Sequence, residues 1–283
     1  MKTADVLIDA LEYIKRFAGQ TFVVKLGGEV MMSEEVMDAV AQDLILLNYV
    51  NIKPVVIHGG GVEITRAMDK FGKKPQFIDG LRVTDKETMD IVKMVLVGQI
   101  NTGIVSRINK HGGNAVGLSG KSGKLFVAKK KAGKVDIGFV GEIEKVNPDI
   151  VNLLIEKNYI PVVSPIGLGA DGEAYNINAD VAAGALAAEL GASKLILLTD
   201  VKGVLRKDGT LIKRLVADDI EELIKDGTAK SGMIPKLKAI KQALDGGVKR
   251  AHIIKAKKHA ILEEVFTSTG AGTMITKEEV RGE

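Results

Sequence analysis

The sequence predicts a three-layer α/β/α sandwich with a mainly parallel central sheet, organised as two lobes. Three features point there. Apolar runs of strand length alternate with segments of helical periodicity, starting with Thr21-Phe22-Val23-Val24-Lys25-Leu26 and Pro54-Val55-Val56-Ile57, and that alternation builds parallel sheets covered by helices on both faces. Leu195-Ile196-Leu197-Leu198 is continuously apolar, as a strand buried on both faces must be. Glycine clusters follow the first two runs directly, at Gly27-Gly28 and Gly59-Gly60-Gly61, and in such folds ligands collect beyond the carboxyl ends of the strands.

Each element has a local reason. Leu7, Ile8, Leu11 and Ile14 fall at helical spacing over residues 4–16, and Gly19 can close that helix. Helices are expected near 33–48 and 62–71, each after a glycine turn. The loop at 77–85 leads into a long helical pattern over 86–110, with Gly98 a point of irregularity. Beyond Ala115 the pattern changes: short alternating runs at 125–128 and 135–140 flank a Lys/Gly turn and predict an antiparallel hairpin. A helix near 148–157 and a strand at 160–164 close the first half. Asp171-Gly172-Glu173 reads as a turn, and Tyr175 to Asp180 runs into an Ala-rich helix ending near Gly191. After the strand at 194–199 come helices near 217–225 and 235–244, a strand at 251–254, a helix at 260–266 and a last apolar run at 272–275.

Composition narrows the chemistry. At 283 residues, 46% of them apolar, the chain can bury a substantial core as one large domain or two fused lobes. It has no cysteine, which excludes disulfides, thiolate nucleophiles and cysteine zinc sites. No membrane span and no apolar leader is read, so a soluble, cytoplasmic protein without a membrane partner is expected. Forty Lys and Arg against 36 Asp and Glu leave a net charge of +4, too small at this length to imply nucleic acid.

Several motif fragments fail on inspection. Gly120-Lys121-Ser122 ends like a P-loop, but Ala115 stands where the first glycine is needed and a strand-like run follows. Ile64 stands where a dinucleotide fingerprint needs its last glycine. His58, His111, His252 and His259 show no metal-binding spacing, so no metal site is expected. Lys121, Lys124, Lys129, Lys130, Lys131 and Lys134 read as a solvated hairpin tip, because aromatic residues, at 4%, are too few for base-stacking platforms. What survives is the glycine loops. Consecutive glycines let backbone N–H groups turn toward an anion, and a strand, such a turn and a helix start make a phosphate site, here with Lys25 beside it. These residues point to phosphoryl transfer.

Seven segments in order carry a resemblance: Val24-Lys25-Leu26-Gly27-Gly28, His58-Gly59-Gly60-Gly61, Gly80-Leu81-Arg82-Val83-Thr84, Ala115-Val116-Gly117-Leu118-Ser119-Gly120-Lys121, Asn176-Ile177-Asn178-Ala179-Asp180, Thr199-Asp200-Val201-Lys202-Gly203-Val204 and Gly232-Met233-Ile234-Pro235-Lys236. Over nearly its whole length the chain resembles the amino acid kinase family, and the Gly-Leu-Arg-Val-Thr segment resembles those members that phosphorylate the side-chain carboxylate of N-acetyl-L-glutamate with ATP, in arginine biosynthesis. The resemblance implies that Lys25 and Lys236 are catalytic, one on the acceptor side and one on the nucleotide side, with Asp180 orienting both. It implies acceptor contacts from Gly60, Gly61, Arg82 and Asn176. ATP, arriving with Mg2+, would be held by Gly27, Gly28, Thr199, Asp200, Gly203, Val204, Leu205, Lys230 and Ser231. Residues 1–18 would be an oligomerisation helix, 19–165 the acceptor lobe and 166–283 the ATP lobe. Tyr13 in that helix, with His259, Glu264 and Gly272, resembles the pattern of arginine-inhibited members, which form hexamers as trimers of dimers. Two alternatives stay open at this point: a kinase for carrier-bound aminoadipate or glutamate, and a non-catalytic amino acid sensor.

Overall fold

The computed structural model describes residues 3–230, 232–267 and 270–278. Helix α1 (Thr3–Phe17) precedes the first core strand, β1 (Thr21–Leu26), with Gly19 at φ 79° in the turn between them. One turn of helix, α2 (Gly28–Met31), follows β1, and α3 (Glu34–Tyr49) begins at Ser33, whose side chain accepts from the Val36 N–H. Strand β2 (Lys53–His58) and α4 (Gly61–Lys70) repeat the order. A small hairpin of β3 (Phe77–Ile78) and β4 (Leu81–Arg82) leads to Asp85, which caps α5 (Lys86–Lys93).

The expected long helix forms, but its middle is widened. After α5 come eight residues of π-helix, Met94–Asn101, containing Gly98, and then α6 (Thr102–Lys110). A π turn shifts the side chains that follow it around the helix axis, and the successive residues Ile100 and Asn101 are both buried. By length and composition Lys86–Lys110 would cross a membrane; much of its apolar window is instead buried in the protein, as a core helix.

Strand β5 (Ala115–Ser119) joins the main sheet, and β6 (Phe126–Lys130) pairs antiparallel with β7 (Gly141–Val146). The hairpin partner is therefore 141–146 rather than the expected 135–140. Residues 135–140 are a connection: Val135, Ile137 and Phe139 imitate strand alternation in the sequence, but the buried residues are Ile137 and Val140, three apart. Gly138, at φ 76°, lies so close to the Thr84 carbonyl that a Cβ there would come within 2.1 Å. The chain continues through α7 (Asp149–Glu156), β8 (Ile160–Ser164), β9 (Ile166–Gly169), β10 (Ala174–Asn176), α8 (Ala179–Glu189) and β11 (Lys194–Thr199). It ends with β12 (Arg214–Val216), α9 (Ile220–Lys225), α10 (Met233–Asp245), β13 (Arg250–Lys255), α11 (Ala260–Phe266) and β14 (Gly272–Thr276). The short strands β9, β10 and β12 leave no periodicity long enough to read from sequence.

The main sheet has eight strands in the order β12-β14-β13-β11-β1-β2-β8-β5, with β14 and β12 running against the rest. A second sheet, β10-β9-β6-β7, has four. It meets the β4–α5 connection, where Thr84 N–H donates to the Ile137 carbonyl and Phe139 N–H to that of Thr84. The two apolar cores divide by face of the main sheet. Val24, Leu26, Val56 and Leu198 pack with residues of α3, the π-helix and α11, whereas Val23, Val55, Leu195 and Leu197 pack with those of α8 and α10. Strand alternation then puts Lys25 on the α8 face with Val23, and His58 on the π-helix face with Val56.

Candidate active site

The site forms where β1, β2 and β11 end side by side. Lys25, in the central strand, lies in register between Ile57 of β2 and Leu197 of β11. Across the α8 face, Asn178 caps α8 by accepting from the Asp180 and Val181 N–H groups, which frees the Asp180 carboxylate for other partners. Lys25 Nζ sits 2.8 Å from one oxygen of Asp180, and Lys236 Nζ, from the first turn of α10, sits 2.9 Å from the other. Lysines separated by more than 200 residues of sequence thus share one carboxylate.

All three groups are largely withdrawn from water, with side-chain exposures of 8% for Lys25, 8% for Asp180 and 17% for Lys236. Burial pulls the Lys25 ammonium below its ordinary pKa, with Lys236 adding to that and Asp180 opposing it. For Asp180 burial works upward, but the two ammoniums outweigh it and hold the carboxyl below its ordinary value. The trio carries a net positive charge in a cleft that must receive anions.

The glycine loops flank this trio unequally. Gly27 donates its N–H to the Leu198 carbonyl at 2.9 Å, and a Cβ on it would meet that oxygen at 2.7 Å, so Gly27 joins the loop tightly to β11. Gly28 opens α2 beside it. Gly59 N–H is taken by the Leu26 carbonyl. Among the described residues, Gly60 and Gly61 N–H groups have no acceptor; they stand at the start of α4, where no earlier helical turn exists to supply one. Arg82 is buried beside them, donating to the Gly61 carbonyl at 2.8 Å and the Thr65 hydroxyl at 2.9 Å, with its guanidinium 4.7 Å above the Phe77 ring. Asn176, at the end of β10, faces the Thr84 hydroxyl at 3.5 Å.

Lys236 also lines a cleft of about 770 Å³, together with Asp200, Gly203, Val204, Leu205 and Lys230 among others. Five expected nucleotide residues therefore come together. Thr199 does not line it; it is buried and its hydroxyl donates to Asp200 at 2.7 Å. Ser231 lies outside the described residues. A residue the sequence did not suggest anchors this cleft: Thr273 Oγ1 accepts from the Val204 N–H at 2.9 Å and donates to the Ile212 carbonyl at 2.6 Å. Gly203, at φ 146°, leaves room for it, since a Cβ would lie 2.4 Å from that oxygen.

A family model described as the amino acid kinase family matches residues 20–255. The chain belongs to the amino acid kinase family. It is 51% identical to acetylglutamate kinase of Methanothermobacter thermautotrophicus, with 98% of this chain and 100% of that protein covered, and 52% identical to acetylglutamate kinase of Methanocaldococcus jannaschii, with 98% and 97% covered. Among solved structures, N-acetylglutamate synthase from Neisseria gonorrhoeae in complex with coenzyme A and N-acetyl-glutamate superposes with a TM-score of 0.89 at 26% identity, over 99% of this chain and 65% of that one. The same synthase with coenzyme A and L-arginine gives 0.85 at 27%, over 98% and 66%. The chain thus spans about two thirds of the synthase.

This amino acid kinase carries a second buried ionic cluster behind its sheet. His252 Nδ1 lies 2.6 Å from Glu264, Lys194 Nζ lies 3.4 Å from His252 Nε2, and Ala271 N–H donates to Glu264. Burial pushes the His252 imidazole down. Of the four expected effector residues, Glu264 is in this cluster. Tyr13 packs against the core on the α11 face, and His259 pairs with Asp43 at 2.7 Å. Gly272 lies in β14 against β13, where a Cβ would collide with the Ile253 carbonyl. His252, which sequence reading did not single out, is buried against Glu264 by the alternation of β13.

Proposed function

We propose that this kinase transfers the γ-phosphoryl group of ATP to the side-chain carboxylate of N-acetyl-L-glutamate, giving N-acetyl-L-glutamyl 5-phosphate and ADP. One observation carries the reading: Asp180 holds Lys25 and Lys236 within 2.9 Å of its oxygens, at the junction of the glycine-loop donors and the nucleotide-sized cleft. A glutamate-type carboxyl, with a pKa of about 4.3, is already ionised at neutral pH, so no general base is required. The obstacle is repulsion between an anionic acceptor and ATP. Lys25 meets the transferring group from the acceptor side and Lys236 from the nucleotide side. The Gly28, Gly60 and Gly61 N–H groups add fixed donors, which matter most as charge spreads over the equatorial oxygens during in-line displacement. The acceptor oxygen forms a bond to phosphorus as the bond to the β-phosphate bridging oxygen breaks. Arg82 suits the α-carboxylate, since a planar fork grips two oxygens, and Asn176 the acetamido group.

Mg2+ bound to ATP supplies further charge neutralisation on the phosphates. Asp180 is committed to two lysines, so the Mg2+ arriving with ATP would be held mainly by phosphate oxygens and water.

The division of labour follows: residues 19–165 present the acceptor and 166–283 hold ATP. Arginine, the end product of the route this step serves, acts as feedback inhibitor at the Glu264 cluster beside α1. The protein works as a cytoplasmic homo-oligomer, a hexamer built as a trimer of dimers. Supporting this, β5 is an edge strand of the main sheet with one side unpaired, and Met94 and Val97 of the π-helix lie exposed one turn apart.

The deciding assay is ATP-dependent hydroxamate formation with N-acetyl-L-glutamate, glutamate, aspartate and aminoadipate in parallel. Signal predominantly from the acetylated substrate is expected. Equal or greater signal from an unacetylated acid would overturn the assignment.

A further inference from the structure

Behind the second glycine loop lies a buried polar network that phosphoryl transfer does not itself require. His58 is fully buried at the end of β2, and its Nδ1 lies 2.9 Å from the carbonyl oxygen of Gly59. A carbonyl only accepts, so Nδ1 carries the proton and Nε2 presents a lone pair. Nε2 in turn lies 3.3 Å from Asn101 Nδ2, which can donate to it, and 3.0 Å from Ser164 Oγ, whose single proton serves either Nε2 or the Leu96 carbonyl. Asn101 is fixed by a second donation, 2.8 Å to the Val162 carbonyl, and Ser164 Oγ stands 3.2 Å from the Leu96 carbonyl. Burial pushes the imidazole pKa down to about 4, so the ring is neutral at working pH.

Two features show that the fold makes room for this network. The π-helix brings Asn101 inward next to Ile100, and Gly117 on β5 admits its amide, since a Cβ at that position would lie 2.1 Å from Asn101 Oδ1. Gly60 rests directly on Leu96 and Ile100 of the same π-helix, with Cβ distances of 2.6 and 2.5 Å. A side chain at Gly60 would have to displace Leu96 and Ile100 or the loop itself.

In a trans peptide the C=O and the following N–H point in opposite directions. The Gly59 carbonyl is drawn toward His58 on the π-helix face, so the Gly60 N–H is turned the other way, to the side of the loop on which Lys25 and Asp180 lie. We propose that His58 is a positioning residue: its Nδ1–H, held in place from behind by Asn101 and Ser164, fixes the Gly59–Gly60 peptide so that the Gly60 N–H meets the transferring phosphoryl group. This rests on the kinase reading above, and deepens it by assigning a function to a histidine that touches no substrate.

The test pairs two amides that differ in reach. In His58→Asn the amide nitrogen occupies the place of Nδ1 and can still donate to the Gly59 carbonyl; in His58→Gln the amide reaches the place of Nε2 and that bond is lost. His58→Gln should lower kcat about tenfold or more, with KM for ATP unchanged, while His58→Asn stays within about threefold of wild type. Equal losses in both variants, or an unchanged kcat in His58→Gln, overturn the proposal. Nitrogen-15 NMR of the wild-type protein reads the same claim without turnover or a substitution: the His58 ring should be protonated on Nδ1 alone, and an Nε2–H tautomer overturns it. Wild type that fails to phosphorylate N-acetyl-L-glutamate while showing the Nδ1–H tautomer would sink the substrate assignment and leave the histidine's bond to the loop intact.

Discussion

Lys25, Asp180 and Lys236 form a unit whose members have different consequences when removed. Lys236 is the more exposed lysine and lines the cleft; in the mechanism proposed above its contact strengthens as charge moves toward the leaving group. Lys236→Ala should reduce kcat by about 10²-fold or more with a smaller change in KM for N-acetyl-L-glutamate; steady-state kinetics at saturating ATP read this directly. Asp180→Asn leaves two ammoniums facing each other in a buried site. Lys25 is already pulled down by burial and by Lys236, and Asp180 is what opposes the fall. Removing that carboxylate lowers the Lys25 pKa further. The active form needs the charged lysine, so the alkaline limb of the kcat profile should move to lower pH in Asp180→Asn, with activity falling as pH rises. An alkaline limb in its wild-type position would show that Asp180 does not tune Lys25.

At the scale of elements, the nucleotide cleft depends on how the β11 end is fastened to the edge of the sheet. Thr273, in β14, bridges the Val204 N–H and the Ile212 carbonyl, which ties two stretches of the 200–213 connection together. Thr273→Val keeps the shape and deletes both hydrogen bonds. It leaves a buried N–H and C=O without partners at a cost of about 1–3 kcal/mol each. KM for ATP should rise severalfold, KM for the acceptor should hold, and thermal unfolding should show whether the loss is local or shared by the fold. The π-helix acts on the other side, placing Leu96 and Ile100 under Gly60 and Asn101 under His58. One widened helical segment therefore supports the second glycine loop through both apolar contact and hydrogen bonding.

For the whole molecule, β5 is an edge strand among the described residues and Met94 and Val97 are exposed, a surface on which the proposed homo-oligomer would pair. Met94→Glu should shift the protein toward monomer in light scattering at micromolar concentration, because a charge in the centre of an apolar contact is costly to desolvate. An unchanged mass would move the interface elsewhere. The Glu264 cluster joins α11 to β13 and β11, with α1 packed nearby through Tyr13. A buried carboxylate there suits the guanidinium of arginine. On the arginine inhibition proposed above, Glu264→Gln should abolish the response to millimolar arginine while leaving uninhibited turnover near wild type; rate against arginine concentration reads this, and an unchanged response would remove Glu264 from the effector site.

The glycine loops, Lys25 beside the first of them, and the alternation of apolar strands with amphipathic helices were legible in the sequence because each is a local pattern. Strand positions such as 194–199 and the Gly98 irregularity in the long helix were legible for the same reason. The hairpin partner of β6 was not, since the alternating run at 135–140 imitates a strand while Gly138 is lodged against Thr84. Thr273 and Asn101 were equally hidden, because nothing near them in sequence shows what they bond to.

By itself the sequence determined that this chain is an α/β protein with glycine turns at the ends of its first strands, and named the charged residues beside them. Only the tertiary structure decided that Lys25 and Lys236 share the oxygens of one buried carboxylate, and that the His58 imidazole lies buried against the Gly59 carbonyl. Turns and periodicities are set by neighbours along the chain. Convergence of groups from distant segments is set by how strands pair and which face each side chain takes, and that information resides in the packing.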